Sequence, residues 1–424
     1  MSPDVSKDFW ITSFLPFSAA MAASGTLIPL FILFIGGSVS DIGMLSALSS
    51  IISLPLAFIW GKLTDDTGKR KIFILIMLIS GFGILLGYFF ASTFPDYLWL
   101  ILLSVMAGLL LGAGDTAKNM YIFDKYPTEE WEETISKYSQ RSGIGSCIGM
   151  VFGGLFQMFF NNYAIFFLIC AILCGVSAIL GFFTIKDIKK DKISEYKFEK
   201  SPIINADLPM YSSVLQIRRP ISYKVAPKDA PMKSQITKGL VMFFIAGFAL
   251  FLASNLTFTP LAAYISQDLA IPESWIFWIF LGYYMISVVG YTFAGNLIDK
   301  QGNRKILFIG LIIRIGVYVA FTIFTFFIIT MIGSFITVII LLVFSGISYS
   351  LMNVALQNTL PRMVQKNVGE VLALYSIIVG ISAIIGSFFS GFIAQSLGYF
   401  WLFLFSIIFA VIAGLIYLKG LDKN

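Results

Sequence analysis

The chain has 424 residues, 58% hydrophobic and only 12% charged, with a mean hydropathy of +0.88 and a formal net charge of +6. That is more apolar surface than a soluble domain of this size can bury, so lipid must solvate most of it. The absence of His excludes His-based metal centres, Ser-His-Asp triads and His proton relays, and no Gly-x-x-x-x-Gly-Lys-Ser/Thr loop is present to bind ATP.

A helix needs about 20 apolar residues to cross the hydrocarbon of a bilayer. Such runs recur here without the alternation of a β-barrel. The first half is predicted to cross the bilayer at 10–34, 42–60, 72–92, 98–123, 138–160 and 163–185. Small residues at Ala22 to Gly25 resemble a signal-peptide cleavage site, but Asp4 and Asp8 precede them and the apolar run continues to Phe34, so the segment reads as a first span. Span 2 ends in Gly61-Lys-Leu-Thr-Asp65-Asp-Thr-Gly68-Lys69-Arg70-Lys71. Its glycines permit a tight turn, and its basic pair is expected to anchor span 3 at the headgroups.

Span 4 carries Asp115, Lys118 and Asn119. A charge at the bilayer centre costs about 2.5 to 3.5 kcal/mol on insertion scales, so it calls for a partner or a function. Asp115 and Lys118 are three residues apart on one helix face and can pair there. They read either as a substrate or coupling site or as a pair that only neutralises itself. Span 5 carries Gly145, Gly149, Gly153 and Gly154, a small-residue stripe of the kind that lets helices approach closely in lipid. Cys147, Cys170 and Cys174 lie inside apolar runs and read as small core residues, with no zinc or disulfide spacing.

The segment 186–238 holds twelve Lys/Arg against six Asp/Glu, which equals the whole net charge of +6. It also holds five of the fourteen prolines, and it reads as a linker between two units, 1–185 and 239–424. A basic loop beside a membrane is a topology signal rather than a nucleic-acid site, so no nucleic-acid partner and no cofactor is expected.

The second half is predicted to cross at 239–265, 274–296, 306–330, 335–359, 370–395 and 399–418. Span 7 contributes Asn255, and span 10 contributes Tyr349, Asn353 and Gln357, which can bond a substrate or one another. Span 8 ends in Gly295-Asn-Leu-Ile-Asp299-Lys-Gln-Gly302-Asn-Arg304-Lys305. Arg314, inside span 9, reads as structural or snorkelling. Every Lys and Arg except Lys118 and Arg314 falls at or beyond span ends on one side, which places both termini and the linker in the cytoplasm of a plasma-membrane protein.

The two Gly-x-Leu-x-Asp-x-x-Gly-x-Arg-Lys segments are offset by 234 residues, and the same offset relates Gly112 to Gly346, Asn119 to Asn353 and Pro127 to Pro361. Repeated six-span halves mark a transporter with a pseudo-two-fold axis. With this doubled motif the chain resembles the major facilitator superfamily over nearly its whole length. The resemblance implies an all-α membrane fold of two pseudo-symmetric six-helix bundles, with spans 1, 4, 7 and 10 lining a cavity. It implies that Asp65 latches onto the N-terminus of span 11, and Asp299 onto that of span 5. Asp66 departs from the family, which usually has a basic residue there. The span 5 glycines look like the antiporter motif of the drug-exporting branch, with Met150 replacing its proline and without the arginine typical of span 4 in that branch.

The expected function is that of a secondary transporter whose direction the sequence alone leaves open: an exporter of amphipathic compounds, or an importer of a small organic anion with Lys118 as counter-charge. Asp115 is then the leading carrier of a coupling proton. A membrane enzyme or a non-transporting receptor is the remote alternative, and a monomer is expected.

Overall fold

The computed structural model describes residues 8–94, 96–127, 131–187, 238–326, 330–363 and 368–421, and every regular element among them is helical. Twelve segments are long and apolar enough to cross a bilayer. Spans 1 to 6 are Phe9–Phe34, Val39–Thr64, Arg70–Thr93, Tyr97–Ile122, Lys137–Phe159 and Tyr163–Thr184. Spans 7 to 12 are Lys238–Gln267, Glu273–Tyr291, Asn303–Phe324, Met331–Leu356, Leu374–Leu397 and Tyr399–Lys419. Most of the expected linker, 188–237, lies outside the described residues.

The span ends follow local chemistry. Gly68 closes span 2 at φ +65°, donating its N–H to the Thr64 carbonyl at 3.1 Å, and Gly302 closes the span 8 helix at φ +83°. Both take a positive φ that glycine adopts without strain, Gly68 in the left-handed helical region and Gly302 in an extended conformation. We call the side bearing these turns the motif face. On the opposite face, Ser38, Asp96, Asn162 and Thr330 each cap the helix that follows them.

Two spans expected to be continuous are broken. Span 4 is two helices, Tyr97–Leu110 and Gly112–Lys125, that meet at Leu111. Span 7 stops at Phe258 and resumes as Leu261–Gln267 after Pro260, which has no N–H to continue the ladder.

Across the two halves, span 2 packs on span 11 and span 5 on span 8. Toward the opposite face, buried apolar residues of both halves, among them Phe31, Phe166, Phe277 and Tyr264, form one shared cluster. Toward the motif face the buried apolar side chains among the described residues separate into two clusters. One, around Trp10, Phe73 and Tyr121, belongs to the first half; the other, around Phe243, Tyr291 and Met352, belongs to the second. Hydrogen bonds add to the shared seam. The Ser40 N–H donates to Gln395 Oε1 at 3.1 Å, and the Tyr163 hydroxyl donates to the Glu273 carboxylate.

A short helix, Phe9–Thr12, begins span 1 and is tied to spans 4 and 5 through Asp8. Its carboxylate accepts from Lys137 Nζ at 2.8 Å and from the Tyr126 hydroxyl at 2.9 Å, and Trp10 Nε1 donates to that hydroxyl at 2.8 Å. Burial pushes the Asp8 carboxyl up, but the bonds from Lys137 and Tyr126 outweigh it and hold the group below its usual 3.8. The stabilisation is therefore present above the ordinary carboxylate range and lost as pH falls through the lowered value. Asp8→Asn is expected to cost about 1 kcal/mol at neutral pH, since the pair is partly solvated. The gap in melting temperature between variant and parent should close below about pH 4, and a gap unchanged with pH would rule out the charged form of Asp8 as its source.

Candidate functional site

Among the described residues, the sequence-predicted polar side chains inside the bundle lie in both halves. In the second half, spans 7, 9 and 10 line a small, partly open pocket. Ser254, Asn255, Arg314, Tyr349 and Asn353 supply its polar wall. Leu250, Phe251, Met352 and Leu356 complete it. The spacing explains the convergence, because 349, 352, 353 and 356 recur at helical intervals along one face of span 10. Asn353 Nδ2 donates to the Tyr291 hydroxyl at 3.2 Å, and Asn255 Nδ2 donates to the Phe251 carbonyl at 2.8 Å.

Of the two roles expected of Arg314, structural or snorkelling, its surroundings exclude the second. The side chain is fully buried near the middle of span 9, too deep for its head to reach an interface. Nε donates to the Tyr318 hydroxyl at 3.0 Å, one terminal nitrogen bonds the hydroxyl and carbonyl of Ser345, and the other donates to the Ser254 hydroxyl at 3.2 Å. The guanidinium lies 4.6 Å from the Phe258 ring centroid, a cation–π geometry. Arg314 is not among the lining residues expected from the sequence, because span 9 is peripheral in the family that the chain resembles. The available signal was Ser254 and Ser345, hydroxyls on the two spans flanking it.

In the first half, Lys118 is 5% exposed, and its Nζ sits 4.4 Å from the centre of the Tyr138 ring on the span 5 helix. The Nδ2 of Asn119 is buried without a hydrogen-bond partner. The side chains of Asp115 and Gln357 lie outside the described residues, so the expected pairing of Asp115 with Lys118 is not part of this geometry. Applying the 234-residue offset, Asp115 corresponds to Tyr349 and Lys118 to Met352, so the charged positions of one half are uncharged in the other.

The two motif turns are also unlike. Arg70 is 6% exposed; its Nε donates to Asp124 at 2.9 Å and one terminal nitrogen bonds the Thr64 carbonyl. It therefore clamps spans 2, 3 and 4 together within one half, rather than anchoring at headgroups as expected. Arg304 is exposed, and the position matching Asp124 is Asn358. Gly61 and Gly295 lie inside the span 2 and span 8 helices, and Lys69 is exposed. The side chains of Asp65 and Asp299 lie outside the described ones, and so do the latches expected of them.

The span 5 glycines divide between two neighbours. A Cβ on Gly145 would stand 2.6 Å from the Leu15 carbonyl oxygen, and one on Gly149 would stand 2.9 Å from the Ala19 Cα, both in span 1. Gly153 and Gly154 instead face Phe277 and Trp278 of span 8 across the seam.

The sequence profile described as Major Facilitator Superfamily matches residues 9–257 and 242–423. Over 126 residues the chain is 32% identical to the proton-coupled antiporter flippase LtaA of Staphylococcus aureus, covering 27% of this chain and 30% of that protein. The chain thus spans under a third of the length of that relative. It is 23% identical to an MFS-type transporter of Methanocaldococcus jannaschii, over 98% of this chain and 95% of that protein. Among solved structures, the nucleoside transporter NupG superimposes with a TM-score of 0.73 at 14% identity, covering 99% of each chain. A bacterial homologue of the iron transporter ferroportin, in an inward-facing state, superimposes at 0.68 and 16% identity over 100% of each. At such identities the likeness is one of fold alone.

Proposed function

This chain belongs to the Major Facilitator Superfamily and is a membrane transporter of that family; we propose that it carries an amphipathic organic solute by alternating access, the two halves 1–185 and 239–424 rocking about a solute held between them. The observation that carries this reading is the split core. The halves share one buried apolar cluster toward the opposite face and keep separate clusters toward the motif face, as expected of a carrier open on one side. The one-sided distribution of Lys and Arg supports a cytoplasmic motif face, with both termini and the 186–238 linker on that side of the plasma membrane, which makes this an inward-open state. The working unit is a monomer, because each half finds its partner within the chain.

An amphipathic solute fits a pocket with a polar end and an apolar end. The flippase relative supports the same class, and its name supports proton antiport, over the segment matched. A second reading, uptake of a small organic anion, is favoured by one observation. Among the described residues the buried charged side chains are Arg70, Lys118 and Arg314, all cations.

The test is flux into proteoliposomes with an imposed pH gradient, offering labelled amphipathic and small-carboxylate solutes in parallel. Accumulation of an amphipathic solute driven by the gradient is expected, and Asp115→Asn should remove the response to the gradient while solute exchange persists. Failure of every solute to move would end the transporter reading. A gradient response intact in Asp115→Asn would take that carboxylate out of the coupling.

A further inference from the structure

Every Lys and Arg outside the spans lies on the motif side, so the opposite face carries Asp41, Asp96, Asp268 and Glu273 with no cation among them. Two of these carboxylates are bonded in place at helix starts. Asp41 accepts from the Ser38 N–H and from the Tyr97 hydroxyl, each at 2.7 Å, and Asp96 accepts from the Leu98 N–H at 2.9 Å. Glu273 is placed differently. It opens span 8 on the seam between the halves, and its carboxylate accepts from the hydroxyl of Tyr163, the first residue of span 6 in the other half.

The second oxygen of that carboxylate, Oε2, is buried with no hydrogen-bond partner, and so are both amide atoms of Gln157, which is 5% exposed. The packing of span 5 on span 8 puts these groups at one level. A Cβ on Gly153 would meet the Phe277 ring, and Gln157 and Glu273 each lie one turn nearer the opposite face than those two residues. Tyr163 is held against the Phe31 and Phe34 rings of span 1, with centroids 5.5 and 4.6 Å away. Among the elements packed on span 8, the second piece of span 7 is followed by Asp268, whose carboxyl burial pushes up. The adjoining turns of spans 1, 5, 9 and 10 carry no titratable side chain.

A carboxylate in this position meets two different surroundings in an alternating cycle. While the seam is shut, an ionised Glu273 is a buried charge with one neutral donor and no cation, and the neutral acid avoids that cost. Once spans 6 and 8 part, water reaches the group, and the first-turn N–H groups of span 8 favour its anion.

We propose that Glu273 is a proton-binding site on the seam, carrying a proton while the opposite face is shut and releasing it to the water on that side as the halves separate. The O–H bond of the carboxyl breaks, the proton passes to water, and the carboxylate keeps the electron pair. Acid therefore holds the seam shut, and a rise in pH opens it. The site is separate from Asp115, which lies on span 4. The inference rests on the rocking of the two halves, but not on which solute they carry or on coupling through Asp115.

Spin labels on Phe94→Cys and Leu397→Cys, exposed positions at the opposite face in the first and second half, report the separation of the halves by double electron–electron resonance in a background lacking Cys147, Cys170 and Cys174. From about pH 5 to about pH 8 the parent should pass from a short to a longer distance, the ratio of open to shut rising by at most about tenfold per pH unit, the limit for one proton. Glu273→Gln still accepts from Tyr163 and cannot ionise, so it should stay short across the range. Gln157→Lys supplies a cation at the same level and should hold Glu273 ionised with the seam shut, again without a pH response. Asp268→Asn, which removes the carboxylate before span 8, should respond as the parent does.

Gly43→Val crowds span 2 against the backbone of span 11 and marks the long distance at any pH. A parent that stays short at every pH while Gly43→Val is long overturns the proposal and leaves the rocking intact. So does a pH response retained in both Glu273→Gln and Gln157→Lys, or in whichever of the two folds. A short distance in every protein, Gly43→Val included, refutes the rocking itself and the proposal with it.

Discussion

Valine at Gly43 or Gly391 is expected to drive the protein out of the state described here and hold it open toward the opposite face. A Cβ on Gly43 would lie 2.5 Å from the Ser387 carbonyl oxygen, and one on Gly391 would lie 2.5 Å from that of Val39. These atoms are backbone, so they cannot rotate aside. Span 2 belongs to one half and span 11 to the other, and their contact exists only while the opposite face is shut. The cost of overpacking, about 1 to 3 kcal/mol, therefore falls on one conformation and not on the fold. A bias of that size moves a two-state equilibrium by about 5- to 150-fold. It is measured by alkylating a cysteine introduced at Ser46, on the same seam, in a background lacking Cys147, Cys170 and Cys174. Reagent added from the opposite side should react at least about fivefold faster in either valine variant. Unchanged reactivity with normal folding would mean that the seam does not separate during the cycle.

The same substitution at Gly149 should have a different consequence. Gly149 faces the backbone of Ala19, but spans 1 and 5 are in the same half and stay packed in every conformation of a rocking pair. No state relieves the clash. Gly149→Val is expected to cost about 3 kcal/mol of stability, the upper end for overpacking against an unyielding neighbour, and to lower the melting temperature and yield without opening either face. Gly145 repeats the contact one turn earlier, on the Leu15 carbonyl. Met150, fully buried where the antiporter motif has proline, leaves the helix Trp131–Phe159 uninterrupted. A Gly149→Val protein as stable as the parent would show that this stripe is not a packing device.

Much of the architecture was legible from residue order alone. Lipid cannot hydrogen-bond a backbone, so each long apolar run had to be a helix, and the Gly68 and Gly302 motifs marked both the repeat and the turns where those residues take positive φ. The 234-residue offset related the halves, yet it also concealed their differences: Arg70 is buried against Asp124 while Arg304 is exposed. The break at Leu111 coincides with a change of composition, from an apolar stretch to one that carries Asp115, Lys118 and Asn119, which a single span over 98–123 runs through.

Composition and spacing determined that this chain spans a membrane twelve times in two repeated halves, because those properties follow from how each segment meets its solvent. Tertiary structure decided which face is closed, how the two motif arginines are wired and that Arg314 turns into a pocket with Asn255, Tyr349 and Asn353. Those outcomes depend on how nearly two backbones approach and which side chains then meet. That approach is set between helices far apart in the chain, where no local pattern records it.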